Sequence, residues 1–167
     1  IHKLRNLVAL SDKSGILPIY GASTGASLVN GWAGQKDFSL VPVITFDSIG
    51  PSIIKDKNCL VLIDIEGAEF GCLKGAESLL AGDCNNVFMV EITVSDHQPK
   101  GVSINPKLLD TFELFFSYNY SAYTANTNYR KVNFEELEKI VKTGEDTLGS
   151  HNFLFIKNEM SLSDFGL

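Results

Sequence analysis

Val61-Leu62-Ile63-Asp64-Ile65-Glu66-Gly67-Ala68-Glu69 is the stretch on which the reading of this chain turns. An apolar run stops in three carboxylates, two and three residues apart, with a glycine between the second and third. A continuous run of this kind predicts a strand buried on both faces, as in a parallel sheet covered by helices. In open α/β sheets ligands bind outside the carboxyl ends of such strands. Acids placed there face a ligand more often than acids on a random loop. Glu66 and Glu69 also suit the opening of a helix, where the dipole favours negative charge.

Apolar segments extend the pattern on both sides. Leu7–Leu10 is a short strand that runs into the turn cluster Ser11-Asp12-Lys13-Ser14-Gly15. Ile16–Tyr20 is expected to return beside it as an antiparallel partner, with Pro18 favouring an edge position. Residues 21–39, rich in Gly, Ser, Ala and Asn, form an irregular loop, either pinned by Trp32 or ordered over a ligand. Val41–Phe46 is a strand with Pro42 near its start, where a missing amide is tolerated.

Downstream of the acidic stretch, Phe70–Leu80 carries Leu73, Ala76, Leu79 and Leu80 on one helical face, with Gly82 as its stop. Val87–Ile92 is a second buried strand, interrupted by Glu91. Residues 105–118 are an amphipathic helix with Asn105 as cap and Pro106 at its first position. Ser121–Thr124 is a short strand, Asn133–Lys142 a charged helix, and Asn152–Ile156 a final strand. The alternation is that of an α/β sheet in one domain over residues 1–157, with 158–167 a mobile polar tail.

A chain of 167 residues, 44% hydrophobic and 20% charged, is long enough for one domain with a core. Its net charge of −6 argues against a general nucleic-acid or anionic-membrane binder. No apolar run is long enough to span a bilayer. Cys59, Cys72 and Cys84 form an odd set without a C-x-x-C pair, which fits free thiols in a reducing, cytoplasmic setting. His2, His97 and His151 are too scattered for a zinc motif, and no metal ligand set is assigned. The sequence has no P-loop, no dinucleotide G-x-G-x-x-G and no G-x-S-x-G elbow.

The candidates for chemistry are therefore carboxylates. Asp64 and Glu66 stand at a strand end, suited to proton abstraction, divalent-metal ligation or the orientation of a hydroxyl. Glu91 is a charge within an apolar strand, where it must be paired, hydrogen-bonded or shifted in pKa. Asp96 and His97 follow in the next loop, and His97 is a possible base near neutral pH.

Three segments together resemble the FkbM-type family of S-adenosylmethionine-dependent methyltransferases. Ile63–Glu69, with Leu73-Lys74-Gly75-Ala76 and Val90-Glu91-Ile92, is similar to that family's I-D-x-E-G-x-E, its L-x-G-A helix and a later strand ending near a Glu. Asn6–Asp12 with Gly15 is similar to a strand ending in A-L-S-D before a glycine turn. Val43–Ile49 is similar to a T-L-D-x-L stretch, and Ala26-Ser27-Leu28 to the small-Ser-Leu before it. The order agrees over residues 6–156.

The resemblance implies a Rossmann-like methyltransferase sheet entered at its third strand. The first two strands, their helices and the glycine loop for the cofactor would then lie before Ile1, and the fragment by itself is expected to be inactive. Leu62 stands where many members have a lysine, which removes a cation near the acids. The resemblance also implies that Ser11 and Asp12 meet the adenine of S-adenosylmethionine. Asp64 and Glu66 would stand where methyl donor meets acceptor, with Glu91 facing the same crevice. The expected reaction is O-methylation of a sugar or another small hydroxylated metabolite, with Asp64, Glu66, Glu91 or His97 taking the proton. A sheet lacking its central strands exposes edges, so self-association or a homo-oligomer is expected. The competing readings are a non-catalytic binding module that keeps the fold, and a divalent-metal hydrolase using Asp64, Glu66 and Glu91.

Overall fold

The computed structural model describes residues 8–54 and 57–166. Its described strands are β1 (Ala9–Leu10), β2 (Gly15–Tyr20), β3 (Phe38–Ile44), β4 (Leu60–Ile63), β5 (Val87–Glu91), β6 (Tyr120–Thr124), β7 (Lys131–Val132) and β8 (Asn152–Lys157). The helices are α1 (Gly50–Ile54), α2 (Glu69–Lys74), α3 (Glu77–Ala81), α4 (Leu108–Ser117) and α5 (Phe134–Thr143). Mixed α/β architecture is thus observed as expected. Leu7, the first residue of the first expected strand, and Asn6, which opens the segment of family resemblance, lie outside the described residues.

Among the described residues the strands form two sheets, ordered β1-β3-β2 and β4-β5-β8-β6-β7. β2 does return antiparallel, but against β3 rather than β1, and β1 joins β3 in parallel. The hairpin therefore spans residues 21–37, and β3 begins at Phe38, earlier than expected. Pro42 consequently sits inside β3, opposite Ile16, and Pro18 falls on the edge strand.

β4 pairs in parallel with β5, bringing Ile63 opposite Val90. The expectation that β4 is buried on both faces does not hold. Val61 and Ile63 pack on the core, whereas Leu60 and Leu62 are 68% and 67% exposed. Among the described residues β4 is an edge, and nothing covers the face of those two leucines. β5, by contrast, is flanked on both sides and its apolar residues are largely buried. An apolar cavity of about 570 Å³ separates the sheets, with Val8, Ala9 and Leu10 on one side and Leu60 and Leu62 on the other.

The helix expected over Phe70–Leu80 is broken into α2 and α3 at Gly75-Ala76. Gly75 passes so close to β1 that a Cβ there would lie 2.0 Å from the Ser11 carbonyl oxygen. The Gly75 carbonyl in turn accepts from the Asp47 amide at 2.9 Å, so this turn is tied to two loops. Gly82 follows α3 as expected. Asn105 caps the turn before α4, accepting from the Lys107 amide at 2.8 Å. Asn133 caps α5 through the Glu136 amide at 2.9 Å. The final segment, expected to be a mobile tail, holds a capped turn at Leu162–Phe165, and Met160 and Leu162 pack on the Val87–Leu154–Ile156 cluster.

The main core is aromatic. Phe115 of α4 stacks on Phe155 of β8 with centroids 3.7 Å apart, and Phe112 meets Phe153 edge-on at 5.1 Å. Six such rings lie under the centre of the larger sheet, where each offset or edge contact adds to the burial of large apolar surface. This rigid layer fixes β5 and β8, and with them the strand ends that carry the acids.

Candidate functional site

The parallel register of β4 and β5 places Asp64 and Glu91 side by side, since each stands one residue after the paired Ile63 and Val90. Their carboxyls are within hydrogen-bonding reach. Glu91 is held above the ordinary carboxylate range, first by burial, then by the charges of Asp64 and Glu66 and by the bond to Asp64. His151, just before β8, counters the shift. Its Nε2 lies 3.3 Å from Oδ2 of Asp96, and its carbonyl accepts from the Ile92 amide at 2.7 Å.

Glu66 occupies a sharp turn, with φ of 58° followed by 90° at Gly67. Two contacts hold it. Ser27 Oγ donates to the Glu66 carbonyl at 2.6 Å, and Trp32 Nε1 donates to Glu66 Oε2 at 2.9 Å. The Trp32 ring, 2% exposed, covers Gly67 so closely that a Cβ there would lie 2.4 Å from it. Trp32 thus pins the loop of residues 21–37. The same ring meets His97 edge-on at 6.0 Å, and the Ala33 amide donates to the His97 carbonyl at 2.7 Å. His97 itself is exposed, with φ of 62°.

Glu69 is the buried acid of the stretch. It is 4% exposed in the first turn of α2, and accepts from the Gly67 amide at 2.9 Å. Burial pushes its carboxyl up to about 7. Burial, and then Glu69, push the Cys72 thiol up to about 11. A carboxyl whose folded pKa is raised contributes most below its unfolded value, and that contribution is lost as pH rises through the folded one. The Glu69 contribution therefore disappears between the ordinary value of 4.5 and about 7. Glu69→Gln keeps the acceptor oxygen and removes the titration. Denaturant unfolding should show Glu69→Gln gaining on the wild type as pH rises, by up to about 3 kcal/mol at pH 8. A pH-independent difference would show that Glu69 ionises normally.

Ser11 and Asp12 lie at the end of β1. Ser11 is buried, with its amide on the Ile44 carbonyl at 3.0 Å and its Oγ 3.1 Å from Asp12 Oδ1. Both residues line a cleft of about 410 Å³ together with Leu28, Gly67, Phe70 and Lys107. The turn after Glu66 is therefore shared by the carboxylate group and the Ser11–Asp12 cleft. Among the described residues no three His, Cys, Asp or Glu side chains are placed to hold a metal ion, which leaves the hydrolase reading without a ligand set. No described helix is long and apolar enough to cross a membrane.

The family model of the methyltransferase FkbM domain matches residues 7–122. The chain belongs to the FkbM methyltransferase family. The match contains Ser11, Asp12, Asp64, Glu66, Glu91 and His97, and ends within β6. His151, the histidine set beside Glu91, falls outside it. No curated protein and no solved structure matches the chain. To Trp32, Ser27 and His151 sequence reasoning gave no site role, naming Trp32 only as a pin of its loop. The lone tryptophan in a Gly-rich loop was a signal for the first. Only strand pairing reveals the third.

Proposed function

We propose that this FkbM domain transfers a methyl group from S-adenosylmethionine to a hydroxyl of a sugar or another small metabolite. One observation carries the reading. The Asp64–Glu91 pair and Glu66 stand at adjacent strand ends, and Gly67, directly after Glu66, lines the cleft of Ser11 and Asp12. That donor set fits the cofactor. Carboxylates suit its positively charged sulfonium and ammonium groups, and Ser11 and Asp12 offer polar partners beside the apolar Leu28 and Phe70 for a purine.

The cofactor supplies an electrophilic methyl on sulfur. The chain's own residues have two tasks, to align the acceptor hydroxyl and to accept its proton. The Asp64–Glu91 pair takes the second, because Glu91, raised by burial and by the acids beside it, accepts a proton more readily than an ordinary carboxyl. Asp64 is the more exposed partner and the one placed to touch the acceptor. His97 borders the same side, behind Trp32. The acid limb of kcat/KM should therefore lie above the ordinary carboxylate range, and Glu91→Gln should move it down. A limb that stays in place would remove Glu91 from the pair.

The cavity between β1 and β4 is, on this reading, where further strands complete a Rossmann-like sheet. The edges at β1 and β4, unpaired among the described residues, and the exposed Leu60 and Leu62 support it. Residues 1–167 on their own are expected to self-associate through those edges. A monodisperse monomer in sedimentation would contradict that.

The test of function is to incubate the intact protein with methyl-labelled S-adenosylmethionine and a panel of hexoses, 6-deoxyhexoses and inositol. Label on an acceptor oxygen supports the proposal. Label on nitrogen or carbon acceptors alone, or on none in a wider panel, contradicts it.

A further inference from the structure

We propose that Trp32 is a positioning residue for Glu66, and that through it the segment from Gly21 to Asp37 forms the acceptor-selecting wall of the site. The inference rests on the methyl-transfer reading above. Its ground is a convergence of strain and contacts. Glu66, His97 and Ala33 have positive φ without being glycine, at 58°, 62° and 48°, as do Ser23, Asn119 and Tyr129 away from these contacts. Such residues persist only where surroundings over-determine them, and they cluster at functional sites. Here the surroundings are one loop, whose residues bond the backbone of Glu66 through Ser27, its carboxylate through Trp32, and the His97 carbonyl through Ala33.

The chemistry of the contact is specific. An indole N–H donates and never accepts, so it fixes one carboxylate oxygen and leaves the other free. Glu66 Oε2 accepts from Trp32, and among the described residues no hydrogen bond engages Oε1, which is the oxygen offered to an acceptor hydroxyl. The ring face also seals Gly67, the residue that joins the carboxylates to the Ser11–Asp12 cleft. A hydroxylated acceptor would meet Glu66 Oε1 at one end and the exposed surface of the 21–37 loop along its length.

The experiment is a double-mutant cycle in the intact protein, using the acceptor that the wild type methylates fastest in the panel. Trp32→Phe keeps an aromatic ring and deletes the N–H. Alone it should lower kcat/KM for the acceptor about tenfold, the scale of one bond to a charged group. Its melting temperature and its affinity for S-adenosylhomocysteine should stay near those of the wild type. In a Glu66→Ala background the same change should cost less than about twofold, since the partner is gone. Ser27→Ala, which loosens the other anchor of Glu66, gives a second route to the same loss if Trp32→Phe folds poorly. Additive effects of Trp32→Phe and Glu66→Ala would overturn the proposal, as would losses that follow S-adenosylhomocysteine affinity rather than the acceptor. Absence of transfer by the wild type itself would instead sink the methyltransferase reading, and this inference with it.

Discussion

Asp64→Asn in the intact protein is expected to lower methyl transfer by about 10²- to 10⁴-fold, the range that proton removal by a positioned group supplies. The substitution keeps size and hydrogen-bonding capacity but ends the carboxylate pair with Glu91. Asp64 is exposed at the end of β4, so the fold has little to lose, and melting temperature should hardly change. The loss should fall mainly on kcat, because the acceptor still meets Glu66. Glu91 should also titrate lower, since two of the causes that raise it come from Asp64. Initial rates over about pH 4 to 9 check both points. Unchanged transfer would remove Asp64 from the chemistry.

Gly75→Ala is expected to destabilise the domain by about 3 to 4 kcal/mol, through strain that no rotamer can relieve. The obstacle is backbone. A Cβ would stand 2.0 Å from the Ser11 carbonyl oxygen and 3.4 Å from Cα of Thr45. Relief requires β1 and the α2–α3 turn to separate, which also pulls Ser11 and Asp12 from the shared cleft. Thermal unfolding should show the loss, with a parallel fall in S-adenosylhomocysteine affinity. Gly15, exposed at the start of β2 with nothing within 4 Å of its Cβ, is the control and should tolerate alanine with its stability intact. A harmless Gly75→Ala would mean that the approach of β1 to this turn is looser than described.

The elements legible in the sequence were those whose pattern is local. β5, β6, β8, α4 and α5 follow from short apolar runs, helical spacing and the caps Asn105 and Asn133. What failed depended on distant partners. Nothing in Phe70–Leu80 announces that Gly75 must pass the Ser11 carbonyl, so the break between α2 and α3 was invisible. Leu60 and Leu62 continue the apolar run of β4, yet burial depends on what lies across the sheet edge, which periodicity does not encode. The pairing of β2 with β3 was likewise decided by the long hairpin loop.

The site divides in the same way. Asp64, Glu66 and Glu91 were legible because acids at strand ends stand out against apolar runs. Their mutual influence needed the register of β4 against β5. Trp32 is 34 residues from Glu66, and His151 is brought to Glu91 only by the antiparallel pairing of β5 with β8. Composition carries no trace of either contact.

The central claim is that the crevice at the ends of β1, β4 and β5 binds S-adenosylmethionine. Calorimetric titration of the intact protein with S-adenosylhomocysteine tests it most directly. One saturable site, weakened by Asp12→Ala, is the expected result. No binding up to millimolar ligand, or binding indifferent to Asp12, would contradict the claim and give the lead to a domain that keeps the fold as a binding module.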